Sequence, residues 1–498
     1  MVELDLAQLL QIPRWLVGVL SLAWAVLATV FVMLERRRPA ATLAWILALV
    51  LIPLFGVFAY LLFGRQAVRQ RRRRRERRPL NASEAMRQMA RLDTLPAGIE
   101  GMQRGLVRLA LHAAAAPLRR ATRVAILPAG GPAADALHEA IAQAAECLHL
   151  EFYIWRDDGA GRRLTAALAE RARAGVAVRV LIDHLGSFGL PESHFDALRE
   201  AGGRVDRFAP IHTAALRGAH ANFRNHRKIV TVDRRIGFFG GLNVGDEYLD
   251  GDEPGHLWED LLIRLEGDAA LGLEGVFIED WLETTDEWLD PASSRPTEGP
   301  GRLARLLGRG PRAGSAGPRV QIVPSGPDLR IADAIAAQML AAISSAQSRC
   351  FIATPYFVPD EPLRLALVTA ALRGVDVRLV LPGRSDVRVV QFASRSYYDE
   401  LLAAGCQILE HPGMLHAKYM VVDETLAALG SANMDTRSFY LNYEVTGFFY
   451  DRGVNHDLSE IFLRSLDGAR TVTTEERLAL RGTSRLLEAA ARVLSPLL

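Results

Sequence analysis

Two short constellations in a chain of 498 residues could carry chemistry. His226-Arg227-Lys228 is followed by Asp233 and then by Gly240-Gly241-Leu242-Asn243. His416-Ala417-Lys418 is followed by Asp423 and then by Gly430-Ser431-Ala432-Asn433, each position displaced by 190 residues. A lone His-x-Lys is worth little, because surface pairs of that kind are common. The whole pattern twice, in register, is not well explained by chance. Strand alternation puts His and Lys of each copy on one face, and the glycines allow a tight turn that returns an Asn towards them.

Two copies facing one another would present two imidazoles, two ammoniums and two carboxamides, a set that suits a phosphodiester. Lys228, Lys418, Asn243 and Asn433 would hold charge on the non-bridging oxygens. One histidine would attack phosphorus and the other protonate the leaving oxygen. Imidazole, with a free pKa of about 6.5, exists in either form near neutrality, so the pair fills both roles, interchangeably as far as the residues say. A carboxylate should orient each ring. Asp260, 34 residues after His226, and Glu444, 28 residues after His416, are the candidates, each read with the histidine of its own half. Asp233 and Asp423 complete the motif and are counted with the catalytic residues. Their position past the strand, however, suits tying down a turn better than touching substrate. No acidic cluster or His/Cys set has metal-ligand spacing, so neither a metal nor another cofactor is expected. Cys147, Cys350 and Cys406 sit among apolar neighbours and read as small core residues.

Lysine usage points to the same places. Of 59 basic residues only Lys228 and Lys418 are lysines. A compact, rotatable ammonium differs from a forked guanidinium, so the exception fits a chemical requirement.

The elements that must position these residues read as a duplicated α/β frame. Strands over 124–127, 148–154 and 176–182 alternate with helical patterns over 136–145 and 164–174. The same order recurs with strands over 320–323, 350–353 and 375–381 and helices over 331–345 and 362–372. A period this long marks a duplicated domain. The expected organisation is a membrane hairpin over 1–64 (helices about 15–34 and 41–63) and an Arg-rich stem over 65–118. A first domain over 119–289 and a second over 320–498 follow, joined by a Pro/Gly/Ser/Arg-rich linker over 290–319.

Trp15 to Leu34 and Ala41 to Phe63 contain no charged residue. Each is long enough to cross a hydrocarbon core of roughly 30 Å. The leader Met1 to Pro13 is acidic, unlike a signal peptide. Residues 1–78 hold 13 arginines against four acids, a net of +9; since the whole chain is +2, the remaining 420 residues carry −7. The large basic cluster after the second run predicts that everything following it is cytoplasmic. A spanning and a re-entrant hairpin both satisfy the sequence. The mildly acidic body argues against a nucleic-acid surface.

These residues resemble the phospholipase D superfamily, whose signature is a paired HxKxxxxD motif with a following Gly, Gly or Ser, any residue, Asn. More narrowly, the chain resembles the bacterial cardiolipin synthases of that superfamily. The likeness runs through Phe223-Arg224-Asn225, Ala353-Thr354-Pro355-Tyr356-Phe357-Val358-Pro359 and Asp435-Thr436-Arg437-Ser438-Phe439. It implies two helix-flanked mixed sheets related by a pseudo-twofold axis, with one active site between them. The implied reaction joins two phosphatidylglycerols into cardiolipin and releases glycerol. His226 would be the nucleophile, forming a phosphatidyl-histidine, and His416 the general acid that later activates the incoming hydroxyl. The implied partners are phosphatidylglycerol and anionic membrane lipids, not nucleic acid, at the bacterial inner membrane with the domains on the cytoplasmic side. A phospholipid hydrolase, a phosphatidyltransferase with another second substrate, and a non-enzymatic scaffold are the competing readings.

Overall fold

The computed structural model describes residues 14–34, 39–54, 56–57, 60, 101–209, 223–250, 257–289, 317–329 and 333–495. The Arg-rich run 65–78 and nearly all of the linker 290–319 lie outside the described residues. The chain divides into an N-terminal unit, residues 1–69 with 211–222, and a body formed by 70–210 and 223–498.

In the N-terminal unit, α1 (Arg14–Leu34) and α2 (Pro39–Leu51) pack together. Trp24 Nε1 donates to the Leu49 carbonyl at 2.8 Å. The Tyr60 ring meets Phe31 and Trp45 edge-on, with centroids 5.6 and 5.2 Å apart. Gly56 is required here, because a Cβ would collide with the Ala48 carbonyl. Away from that small core, Leu20, Leu22, Leu27, Leu47 and Leu54 are exposed, where a helix made for water would carry polar residues. Among the described residues, no helix is long and apolar enough to cross a membrane.

The body repeats one sheet twice. The first half is built from β2 (Arg123–Pro128), β3 (Cys147–Phe152), β4 (Ala177–Asp183), β5 (Arg204–Phe208), β6 (Ile229–Val232), β7 (Ile236–Gly240) and β8 (Leu261–Glu266). Their order across the sheet is β2-β8-β7-β6-β3-β4-β5. The second half uses β9 (Arg319–Ser325), β10 (Arg349–Ala353), β12 (Asp376–Pro382), β13 (Gln407–His411), β14 (Tyr419–Val422), β15 (Leu426–Gly430) and β17 (Glu444–Phe449). They lie in the order β9-β17-β15-β14-β10-β12-β13, the same arrangement strand for strand. In both halves the β3-β4-β5 or β10-β12-β13 side is parallel and the rest antiparallel. Helices α4 (Gly131–Ala142) and α5 (Gly159–Arg173) flank the first sheet; α7 (Ala334–Ser345) and α8 (Glu361–Leu372) take the matching places in the second. Asp158 and Asp360 cap α5 and α8 by accepting from Gly161 and Leu363 N–H groups.

Two edges depart from the sequence expectation. Helix α3 (Gly101–Ala114), read as part of a stem, belongs to the core of the second half, where Gln321 Nε2 donates to the Val107 and Ala116 carbonyls at 3.1 and 2.7 Å. Strand β1 (Arg119–Arg120), placed at the start of the first domain, pairs with β9 of the second. The halves share one apolar seam. Phe239, Ile263, Leu273 and Val276 from the first half cluster there with Val320, Phe449, Val454 and Phe462 from the second. Helix α6 (Ala270–Thr285) contributes two of these.

Candidate active site

The His-x-Lys segments do not lie within strands, as alternation alone predicts; each immediately precedes one, β6 or β14. They are held by the opposite half. Asn225 forms a parallel bridge with Tyr443, and the His226 N–H donates to the Tyr443 carbonyl at 2.9 Å. Reciprocally, Glu259 bridges Leu415, and the His416 N–H donates to the Glu259 carbonyl at 2.7 Å. Each motif is thus clamped beside the residue that precedes the other half's orienting carboxylate. That exchange is the reciprocity a local twofold demands.

The carboxylates follow the backbone, so the own-half pairing expected from sequence is corrected. His226 Nδ1 lies 3.1 Å from Glu444 Oε2, and His416 Nδ1 lies 2.6 Å from Asp260 Oδ2. Sequence separation carried no information about this, because the strand ends that supply the carboxylates abut the partner sheet. Both pairs occupy Nδ1, and among the described residues nothing hydrogen-bonds either Nε2.

The two carboxylate sites are built differently. At Gly241 a Cβ would collide with the Asp260 carboxylate. The equivalent Ser431 fits beside the longer Glu444, donating Oγ–H to Oε2 at 2.6 Å while accepting from the Val445 N–H at 3.0 Å. The Gly/Ser difference in the repeat therefore tracks an Asp/Glu difference.

Lysines and aromatics complete the site. Lys228 Nζ donates to the His226 carbonyl at 2.6 Å and lies 5.3 Å from the centre of the Tyr153 ring. That ring also packs against His226, 4.9 Å between centroids. Lys418 Nζ reaches the His416 carbonyl and lies 2.8 Å from its Nδ1. Trp258 and Tyr248 enclose His416 at 5.0 and 5.6 Å. The first ring is the more open, with side-chain exposures of 12% for His226 and 6% for His416.

Burial sets the charge states. It lowers His226 to about 4, opposed by Glu444 and reinforced by Lys228. It also holds His416 well below the ordinary imidazole value, with Lys418 and Lys228 adding to the effect. Lys228 falls to about 7 and Lys418 to about 8, again chiefly through burial, while Asp260 rises to about 6. Near neutral pH both imidazoles are therefore uncharged, and burial makes the two ammoniums costly to keep without an anion beside them.

The remaining sequence candidates fall elsewhere. Asp233 accepts backbone N–H groups from Ala145, Glu146 and Cys147 at 2.7–2.9 Å. Asp423 does the same for Gln347, Ser348 and Arg349 at 2.8–3.2 Å. Both have positive φ, 49° and 50°. They tie the hairpin turn to the start of the neighbouring strand, so counting them as catalytic is corrected: they position the frame. Asn243 is buried and its Oδ1 accepts from the Ile154 N–H at 3.1 Å, next to Tyr153. Asn433 is buried with its own N–H on Ser438 Oγ at 3.2 Å.

Sequence reasoning missed the floor beneath the first motif. Arg227 Nε donates to the Glu444 carbonyl at 3.0 Å, Nη2 to the Ser325 carbonyl at 2.9 Å, and Nη1 pairs with Asp280. Asn225 donates to Glu151, whose carboxyl is raised by burial and by Asp280. A buried arginine at the variable position of the motif was the available signal. The three cysteines are buried, as the sequence suggested; the Cys147 thiol, His149 ring and Glu274 carboxylate, all buried, have possible ligand atoms within 4.8 Å of one another. His149 Nδ1 lies 3.0 Å from Glu274, and Thr231 Oγ1 donates to the same carboxylate at 2.5 Å.

A duplicated mixed-sheet domain, with a His, a Lys and a borrowed carboxylate from each half meeting at one seam, defines a phospholipase D-like phosphoryl-transfer site. A family model described as "Cardiolipin synthase, PLD-like domain" matches residues 137–281 and 339–466. One described as "Phospholipase_D-nuclease N-terminal" matches residues 22–65. Cardiolipin synthase of Geobacillus sp. (strain WCH70) is 39% identical over 93% of this chain and 90% of its own length. Cardiolipin synthase 2 of Bacillus anthracis is 38% identical over 94% and 88%. The solved phosphatidylserine synthase of Haemophilus influenzae Rd KW20 covers 80% of this chain and all of its own, at TM-score 0.57 and 14% identity, which speaks to fold alone. The chain belongs to the cardiolipin synthase family.

Proposed function

We propose that the protein joins two phosphatidylglycerols into cardiolipin and glycerol through a phosphatidyl-histidine on His226. The observation that carries this reading is the reciprocal pairing of His226 with Glu444 and of His416 with Asp260, which gathers both motifs into one site.

His226, neutral and the more open ring, uses Nε2 to attack phosphorus of the first lipid. The bond from phosphorus to the glycerol headgroup breaks as His416 delivers a proton to the departing oxygen. The incoming phosphodiester anion restores full charge to Lys228 and Lys418 and raises His416, whose imidazolium Asp260 supports. Asn243 and Asn433 steady the non-bridging oxygens. Glycerol leaves, and His416, now neutral, removes the proton from the terminal hydroxyl of a second phosphatidylglycerol. That oxygen attacks phosphorus, the phosphorus–nitrogen bond breaks, and cardiolipin departs. One phosphodiester replaces another, so no nucleotide is consumed.

The N-terminal hairpin anchors the enzyme in the bacterial inner membrane with the body on the cytoplasmic side. Support comes from the uncharged runs, the exposed leucines of α1 and α2, and the arginine excess that follows.

Hydrolysis would use the same covalent intermediate and differ only in admitting water. Product analysis with phosphatidylglycerol as sole substrate separates the two. Cardiolipin with stoichiometric glycerol supports transfer, and phosphatidic acid as the main product rejects it.

A further inference from the structure

The two loops beside the active site carry apolar side chains into solvent although their backbones are tightly held. After β4, Asp183 Oδ1 accepts from the Leu185 and Gly186 N–H groups at 2.8 and 3.0 Å. Its other oxygen accepts from the Asn225 N–H at 2.9 Å, one residue before His226. Ser187 Oγ donates to the Tyr153 carbonyl at 3.1 Å and accepts from the Trp155 N–H at 3.0 Å. Gly186 is pressed so closely on Tyr153 that a Cβ would collide with it. The loop is therefore fixed to the aromatic ring that packs on His226, yet Phe188 at its tip is 78% exposed and Leu185 is exposed beside it.

The matching loop after β12 is tied down through Asp386, which accepts from Tyr356 Oη at 2.9 Å and lies close enough to Lys418 to favour its charged form. Around it Arg384, Val387 and Arg388 are exposed. Leu257, also exposed, precedes Trp258, which packs on His416. Each apolar tip is thus one contact from a group that touches His226, His416 or Lys418, and Arg384 and Arg388 flank Val387 in the chain.

A fixed loop that holds phenylalanine in water forfeits burial unless something apolar receives it. The arginines beside Val387 add attraction for a negative surface. We infer that Leu185, Phe188, Leu257 and Val387, with Arg384 and Arg388, form a docking rim that inserts into an anionic lipid surface and brings the active-site mouth against it. Substrate then reaches His226 without leaving the bilayer. This rests on the lipid reading of the site.

The three cysteines are buried, so a Phe188→Cys variant of the full chain offers a single accessible thiol for an environment-sensitive fluorophore. Labelled protein reconstituted in phosphatidylglycerol vesicles is compared with a Leu463→Cys variant, labelled at an exposed leucine of the helix over Arg452–Arg464. Lipids carrying spin labels on their acyl chains should quench the 188 label at least twofold more than the 463 label. Equal quenching at both sites, or none at 188, overturns the docking rim. As a second measure, Phe188→Ser should raise KM about tenfold for vesicle phosphatidylglycerol while leaving kinetics on a monomeric short-chain phosphatidylglycerol within twofold. Equal loss on both substrates would make the loop a positioning element and overturn the proposal. If unmodified enzyme forms no cardiolipin, the lipid-transfer reading fails, whatever the quenching shows.

Discussion

Asp260 holds His416 from the opposite half of the body, its Oδ2 2.6 Å from Nδ1 across 156 residues of sequence. Neither half can therefore assemble a working site alone. The pairing predicts selective effects: Asp260→Asn should shift the titration of His416 seen by NMR and leave that of His226 in place, with Glu444→Gln doing the reverse. Each should lower kcat by about 10²- to 10⁴-fold, the range for an imidazole that loses its orienting carboxylate.

How much of this was legible beforehand follows from what repeats and what does not. The frame was readable because the duplication repeats hydrophobic pattern and motif together, and the second sheet repeats the strand order of the first between its added edge strands. Asp260 and Glu444 were recognisable as carboxylates near the motifs, but their partners were not. Pairing across a seam depends on which strand ends abut, and no local periodicity encodes that. Helix α3 and strand β1 were misplaced for the same reason: they pack on the sheet of the far half. Asp233 and Asp423 illustrate a different limit. A motif records co-occurrence, and only the backbone N–H groups around their carboxylates show that they fasten a turn.

The Gly241 position gives a second test. Gly241→Ala forces a Cβ into the Asp260 carboxylate. Displacing that group should lower kcat/KM at least about tenfold and destabilise the fold by about 1–3 kcal/mol, the usual cost of overpacking. Ser431→Gly, which removes the hydrogen bond to Glu444 and the one accepted from the Val445 N–H, should cost about 1–3 kcal/mol and less activity. Thermal unfolding and steady-state assays on the two variants check the ranking.

Asp233→Asn and Asp423→Asn weaken charge-assisted bonds to strand-start N–H groups. We expect each to lower stability by about 1–3 kcal/mol while leaving kcat within a few-fold at temperatures where the protein stays folded. Loss of kcat without loss of stability would return these residues to the chemistry.

The pH profile has a definite sign. Lys228, lowered to about 7, and Lys418, lowered to about 8, must be protonated to receive a phosphodiester, so kcat/KM should fall as pH rises through 7 to 8. On the acid side, His226 near 4 must stay neutral to attack and Asp260 near 6 must stay ionised, so activity should fall again as pH drops below 6. Lys228→Arg should move the basic limb upward, since guanidinium does not titrate there, at reduced kcat.

The covalent step is the centre of the account. Enzyme mixed rapidly with phosphatidylglycerol labelled in its phosphate, quenched in base and digested, should yield a phosphatidyl-histidine peptide containing His226. The adduct should be absent in His226→Ala and should accumulate in a variant that releases glycerol but cannot activate the second hydroxyl. A label found on the His416 peptide, or cardiolipin formed at the wild-type rate by His226→Ala, would contradict it.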